Sequence, residues 1–396
     1  MTAKVPYGWT DREPWLELDF PVAEFEGRVA TLQTAMNAAD IDALLVWEDA
    51  DRGGNIRYLS GFNMIWGTSV VLIHRERAPV LVTNATAHGE PMHSNIQTSW
   101  LRDIRVSFAG SADDLFEKSA AVLAEWGIPD DRVVVAGHAQ IPYGTARLLA
   151  KAYGERALRT GDSLLARQRA IKSPAEIAVI RRVANLTSRA MDVAMRAAVP
   201  GASESEVAAV ANSACIAAGA ERMSFGCFPA TGRRGSLKNV FARPGGIIAP
   251  TDLVVIDLGC KLLGYQSDMS RNVVAHPSRQ IIALLEAATA ANDAVFRHTR
   301  PGVTTTSVVE VMNEVIAERG FSAWDFSLCH GFGLDLTETP LFRGHPPMQL
   351  EAGMCFYVEP IIADHSFGCV CIEDMLLVTD DGCEKLSHTL VPATGN

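Results

Sequence analysis

Apolar residues recur at helical spacing over residues 25–39, and short apolar runs follow in a different rhythm at 43–47, 69–73, 80–82 and 133–136. The first segment predicts an amphipathic helix and the others predict buried strands. Helical stretches near 112–126 and 144–153 alternate with them, which is the signature of a layered α/β domain. From Arg169 the texture changes to long helices. Ser173 can cap one of them with Pro174 at its first position, Pro200 and Gly201 stop it, and another helix spans 204–219. A Gly- and Arg-rich loop at 230–246 then leads into strands, interrupted by helices near 281–299 and 303–319. The pattern predicts an α/β domain over 1–162 and an α+β domain over 163–396, as expected for a chain longer than one hydrophobic core usually grows.

Composition narrows the function classes. Hydrophobic residues at 48% and charged residues at 20% describe a globular chain with no long disordered segment. The net charge of −11 would repel a phosphate backbone, so nucleic acid is not an expected partner. Lys4, Asp11, Arg12, Glu13, Glu17 and Asp19 interrupt the first twenty residues, and no run reaches a membrane span, so neither secretion nor a membrane is expected. The eight cysteines form no Cys-x-x-Cys pair and sit mostly in apolar runs, which reads as buried free thiols in a reducing cytoplasm. Cys329, beside His330, stands apart from the rest.

The chemistry lies late in the chain. Residues 252–274 read as a hairpin; with Leu262 and Leu263 as its turn, Asp257 faces Asp268 about 4.5 to 5.5 Å away. Residues 355–378 form a second hairpin candidate centred on Ser366, which sets Glu359 opposite Glu373, with Pro360 confined to a bulge or an unpaired edge. Like charges so placed repel unless a cation lies between them. His330 sits in SLCHGFGLDLTETP, where Gly331 and Gly333 allow close backbone approach. Four carboxylates and one imidazole suit Mn, Fe, Co or Zn and not a thiolate site. The information lies in the order Asp257, Asp268, His330, Glu359, Glu373, with spacings of 11, 62, 29 and 14.

In that order and context the chain resembles the pita-bread family of methionine aminopeptidase, Xaa-Pro aminopeptidase, prolidase and creatinase. The matching segments are RAIKSPAEIAVIRR, VVIDLGCKLLGYQSDMSR, HGFGLDLTETP, FYVEPII and IEDMLLVTDDGCEKL, and NIRYLSGF in the first half is similar to the creatinase/prolidase N-terminal domain. The resemblance implies a homodimer and two divalent metal ions (Mn, Co, Fe or Zn). Asp257 would chelate one ion, Asp268 and Glu373 would bridge both, and His330 and Glu359 would complete the coordination of the other ion. It also implies a metal-held hydroxide as nucleophile and Glu359 as the catalytic carboxylate that moves the proton.

The chain departs from the family where its peptidases carry two further histidines. The first position, about 17 residues before Asp257, falls on Val240 or Phe241, and the second, seven after His330, is Thr337. Nearby Arg233, Arg234, Lys238 and Arg243 read either as a solvated basic loop or as an anion clamp for a carboxylate-bearing substrate. Trp66 reads either as a core residue or, by the family's dimer, as part of the partner's pocket. Phe241, Arg243, Thr337 and Trp66 are therefore the candidate substrate contacts. The leading expectation is a dinuclear metal-dependent hydrolase of a C–N, amide-type bond in a small molecule. The alternatives are an Xaa-Pro dipeptidase or aminopeptidase, a dimethylsulfoniopropionate-lyase-like enzyme, against which Leu258 and Gly259 argue, and a non-catalytic binding module.

Overall fold

Six of the seven residues of strand β1 (Ala43–Asp49) are buried, as a run of continuous apolar residues demands when both faces of a sheet are covered. The computed structural model describes residues 9–84, 95–107, 112–129, 132–137, 141–154, 160–323, 328–390 and 393–394. The chain divides into units Met1–Gln168 and Arg169–Asn396. The first contains α1 (Trp9–Arg12), α2 (Val22–Ala38), β1, α3 (Gly54–Ser60), β2 (Thr68–His74), β3 (Val80–Thr83), β4 (Asp103–Val106), α4 (Ala112–Trp126), β5 (Val133–Ala136) and α5 (Tyr143–Tyr153). Its sheet runs β4-β3-β2-β1-β5, with β1 parallel to β5, β3 parallel to β4, and the other pairs antiparallel.

Alternate residues of these strands, Leu45, Trp47, Val70, Leu72 and Val135 among them, form one core with Leu115, Phe116 and Leu123 of α4 and Leu149 of α5. Leu44, Val46, Val71 and Ile73 point the other way and are equally buried, and α2 and α3 pack against the same strands. Trp66 is 44% exposed, beside the exposed Ile65, so its reading as a core residue is corrected. Arg57 is held by Asp19 at 2.7 Å and by Asn63.

Helix α6 (Asp162–Ala170) runs across the division, and the boundary expected at 162 falls on its first residue. The second unit continues with α7 (Pro174–Ala197), α8 (Glu204–Ala217), β6 (Arg222–Thr231), β7 (Val254–Leu262), β8 (Tyr265–Gln266), β9 (Met269–Val273), α9 (Arg279–His298) and α10 (Thr305–Glu318). It ends with β10 (Leu328–Gly331), β11 (Glu338–Leu341), β12 (Cys355–Glu359), β13 (Ile361–Asp364), β14 (Gly368–Cys371), β15 (Asp374–Val378) and β16 (Cys383–Lys385). Ser173 and Glu176 close a reciprocal capping box on α7, with Pro174 in the first turn, and Ser203 and Glu206 do the same on α8. One sheet runs β11-β10-β12-β15-β16, a second joins β6 to β7 with β8 and β9 both paired to β7, and β13 pairs with β14. Leu284, Ala288, Val308, Met312, Phe356, Val358 and Leu376 share the large core beneath the first of these sheets. No described helix is long and apolar enough to cross a membrane.

Candidate active site

The β7–β9 hairpin turns at Leu263 and Gly264, both at positive φ (48° and 80°), a two-residue turn of the kind whose twist matches the flanking strands. That places the turn one residue later than expected and corrects the pairing: Asp257 lies opposite Ser270, not Asp268. The correction shifts the register by two, so the faces are kept. Asp268 falls in the short break between β8 and β9, where a side chain on Gly259 would collide with the Ser267 carbonyl. The Ser270 hydroxyl lies 2.9 Å from Asp257 Oδ1 and 3.0 Å from Glu373 Oε2, so it can donate to either carboxylate.

The second hairpin keeps the register centred on Ser366. Ile361 pairs with Cys371 in β13–β14, and beyond Pro360, Val358 pairs with Asp374 in β12–β15. Glu359 and Glu373 flank the gap between the two ladders, where Pro360 has no N–H to give. The Glu373 amide donates to the Ser270 carbonyl and its own carbonyl accepts from Arg271, so its backbone is tied to β9 on both sides. His330 ends up between β11 and β12, its ring edge-on to Tyr357 at 5.0 Å. A side chain on Gly331 would run into Pro340 and the Glu338 carbonyl, which is the close approach expected of that glycine.

The fold thus gathers all five residues. Ligand atoms of Asp257, Asp268 and Glu373 lie within 4.8 Å of one another, as do those of His330, Glu359 and Glu373, with Glu373 common to both groups. Burial pushes the Asp268 and Glu373 carboxyls well above the usual carboxylate range, and their acidic neighbours push them further. Burial also raises Glu359, against the opposing charge of Lys238. His330 is lowered to about 4, chiefly by burial, so its imidazole is neutral at neutral pH, the form that coordinates a metal. Nδ1 faces the Gly331 carbonyl at 3.3 Å and Thr337 Oγ1 at 3.4 Å, leaving Nε2 for coordination. Asp268 Oδ1 and Glu373 Oε1 are buried without a hydrogen-bond partner. Acceptor-only oxygens in that condition fit divalent cations, and the oxygen-rich set with one nitrogen fits them chemically.

One member of the cluster was not foreseen. Lys238, expected in a basic loop, turns inward at 6% exposure. Its Nζ is in close contact with Glu359 Oε2 and lies 3.4 Å from Asp257 Oδ2 and 3.7 Å from Glu373 Oε2. Burial lowers the ammonium's pKa, but the surrounding acids outweigh it and hold the group well above its usual value.

The sequence profile of metallopeptidase family M24 matches residues 178–380, more than half of the chain, and that of the creatinase/prolidase N-terminal domain matches 28–171. The chain belongs to metallopeptidase family M24. Its architecture is accordingly a creatinase/prolidase-type N-terminal domain and a pita-bread catalytic domain. An Xaa-Pro dipeptidase of Pyrococcus horikoshii is 29% identical over 356 residues, covering 89% of this chain and 95% of the relative. The uncharacterized peptidase YqhT of Bacillus subtilis is 26% identical, covering 91% and 98%. The crystal structure of the prolidase from P. horikoshii superposes with a TM-score of 0.79 at 27% identity, covering 93% of this chain and 99% of that one. Dipeptidase PepE from Mycobacterium ulcerans shares the fold at a TM-score of 0.80 and 24% identity, covering 95% and 98%. This M24 chain is a metal-dependent hydrolase, and its family implies divalent cations.

Around the M24 cluster the remaining candidates sit differently from one another. Thr337 is exposed, its hydroxyl against His330. Val240 packs into a small core with Ala230 and Val255. Phe241 is 81% exposed and meets Phe228 edge-on at 5.6 Å; Phe228 in turn stacks on Phe225 at 5.4 Å and is registered opposite Asp257. Partners across an antiparallel ladder share a face, so this row of rings begins beside the carboxylates. Phe225 and Phe228 escaped sequence reasoning, which assigned no element to residues 220–229, now the greater part of β6. The four basic residues of the loop do not form one anion clamp. Arg234 pairs with Glu204 at 2.6 Å, Arg233 donates to the His365 carbonyl at 3.0 Å, and Lys238 is in the cluster. Arg243 stays outside, its side chain 58% exposed and 3.8 Å from Glu204. All eight cysteines are free and seven are buried; burial raises the Cys329 thiol, which makes it inert.

Proposed function

We propose that this M24 enzyme hydrolyses a C–N bond in a small amide, cyclic amidine or modified amino acid, and that the peptidase scaffold no longer serves Xaa-Pro peptides. The observation that carries this reading is what stands at the two positions where the family resemblance calls for histidine. Thr337 offers a hydroxyl beside His330, and the 240–241 position offers a packed valine and an exposed phenylalanine ring. The valine and phenylalanine side chains have no hydrogen-bond donor, and a threonine hydroxyl donates from a shorter side chain and cannot carry an imidazolium's charge. A second reading, Xaa-Pro dipeptidase activity, is favoured by the P. horikoshii relative, which spans 89% of the chain.

Asp257, Asp268, His330, Glu359 and Glu373 would hold the divalent cations. Bound there, a divalent cation supplies positive charge that polarises the scissile group and brings the pKa of water towards neutrality. Glu359 is the group we assign to proton transfer, accepting a proton from water and delivering it to the leaving nitrogen; burial raises its affinity for a proton, against the charge of Lys238. Ser270 holds Asp257 and Glu373 in place. The row Phe225, Phe228 and Phe241 offers an apolar surface to a small planar substrate, and Arg243 is the exposed cation available to a substrate carboxylate. The free cysteines support a reducing cytoplasmic setting, and the resemblance supports a homodimer.

Gly-Pro and Ala-Pro dipeptides should be assayed beside a panel of cyclic amidines and N-acyl amino acids, with Mn, Co, Fe or Zn supplied. Turnover of the panel without dipeptide cleavage is expected. Dipeptide cleavage at rates typical of enzymes, with kcat/KM above about 10⁴ M⁻¹s⁻¹, would establish the second reading instead.

A further inference from the structure

Lys238 is placed where a cation is needed. Its backbone has φ 44° and ψ −150°, outside the regions a non-glycine residue normally adopts. It follows directly on the 3-10 turn Gly232–Leu237, so the chain adopts an unfavourable conformation at the residue whose side chain enters the cluster. Nζ engages one oxygen each of Asp257, Glu359 and Glu373. Among the carboxylate oxygens that Nζ does not engage, Asp268 Oδ1 and Glu373 Oε1 are buried with no hydrogen-bond partner. An ammonium and a divalent ion cannot share the same three oxygens, because their charges would repel at such short range inside a low-dielectric site.

We propose that the Lys238 ammonium is a built-in substitute for one of the two metal ions implied by the family, so that the site binds a single divalent ion through the oxygens Lys238 leaves unpartnered. This rests on the reading of the five residues as a cation site. One consequence is that the cluster is partly neutralised before any metal arrives. Another is that Asp257, expected to chelate the first ion, is a partner of lysine in the resting enzyme, and Glu359 is oriented by a fixed charge. The lysine Nζ carries three donors on a flexible stem, enough to serve three carboxylates.

The test is metal stoichiometry of the full-length protein, stripped with chelator and titrated with Mn²⁺, followed by elemental analysis after gel filtration. The wild type is expected to take up about one ion per chain and Lys238→Met about two, the second at least ~100-fold more tightly than in the wild type. Thermal unfolding supplies an independent readout: stripped Lys238→Met should melt below the stripped wild type, and Mn²⁺ should raise its Tm by more than it raises that of the wild type. Two tightly bound ions in the wild type would overturn the inference while leaving the metal-site reading intact. One ion in both proteins would also overturn it, since Lys238 would then compete with nothing. No ion in the wild type, with activity surviving chelation, would overturn both. If Lys238→Met does not fold without metal, Lys238→Gln, which keeps a hydrogen-bond donor without the charge, is titrated in its place with the same two outcomes.

Discussion

Glu338 offers the sharpest stability prediction in the molecule. It lies on β11 beside the His330 strand, registered opposite Gly331, and its carboxylate joins two buried cations. Lys172 Nζ is 2.5 Å from Oε1 and the Arg169 guanidinium is in close contact with Oε2; Arg169 also reaches Asp335 at 2.8 Å. The side chains of Lys172, Arg169 and Glu338 are 1%, 6% and 9% exposed. Glu338→Gln keeps the shape and leaves Lys172 without a counter-charge. Removing one partner of a buried pair costs about 3 to 5 kcal/mol, and the amide oxygen that remains puts this substitution near the lower end. For a domain of this size, about 3 kcal/mol corresponds to a fall of roughly 6 to 12 °C in Tm.

Differential scanning calorimetry of wild type, Glu338→Gln, Lys172→Met and the double variant would measure it. The double variant should recover part of the loss, because the uncompensated charge has gone. A drop under about 2 °C, or no recovery in the double variant, would refute the reasoning. The pH dependence gives a further check. Burial alone raises the Glu338 carboxyl, but Arg169 and Lys172 outweigh it and hold the group below its usual value. A carboxyl with a depressed folded pKa stabilises the protein above the unfolded value, about 4.3, and loses that contribution as pH falls through the folded value. The deficit of Glu338→Gln should therefore be full at neutral pH and shrink in acid below about pH 4.

Two further predictions concern the site. Ser270→Ala removes the hydroxyl placed between Asp257 and Glu373, and Mn²⁺ affinity measured by titration should weaken about 10- to 100-fold; an unchanged affinity would remove Ser270 from the positioning shell. Phe241→Ala deletes a ring that is 81% exposed, so unfolding free energy should stay within about 0.5 kcal/mol; if the ring lines the substrate, KM should rise several-fold with kcat unchanged, whereas unchanged kinetics would place the substrate elsewhere.

Local signals in the chain were reliable where local physics decides the structure. The helix cap at Ser173, the apolar runs that build the first sheet and the hairpin register around Ser366 all needed only neighbouring residues. The β7–β9 register slipped because either Leu262–Leu263 or Leu263–Gly264 can turn a hairpin on paper, and the choice rests on Gly264 and Leu263 accepting positive φ together. Lys238 was illegible for a different reason. In a loop with three arginines it looks solvated, and its burial depends on carboxylates 19, 121 and 135 residues away in sequence, which only the assembled sheets bring together. Phe228 was hidden likewise: its place beside Asp257 follows from the β6–β7 pairing, not from its own neighbours. Trp66 shows the converse: of its two readings, the core one came from residue type alone, and its 44% exposure removes it.

The central claim is that Asp268 and its four companions form the cation site of this hydrolase, and Asp268→Ala tests it most directly. Wild type and variant should be purified in parallel, their divalent metal measured by elemental analysis after Mn²⁺ loading and gel filtration, and their folding checked by calorimetry. The account predicts a folded Asp268→Ala that retains no Mn²⁺ and has no hydrolytic activity, beside a wild type that retains the metal. A folded variant that keeps the wild-type metal content, or that remains active without metal, would contradict it.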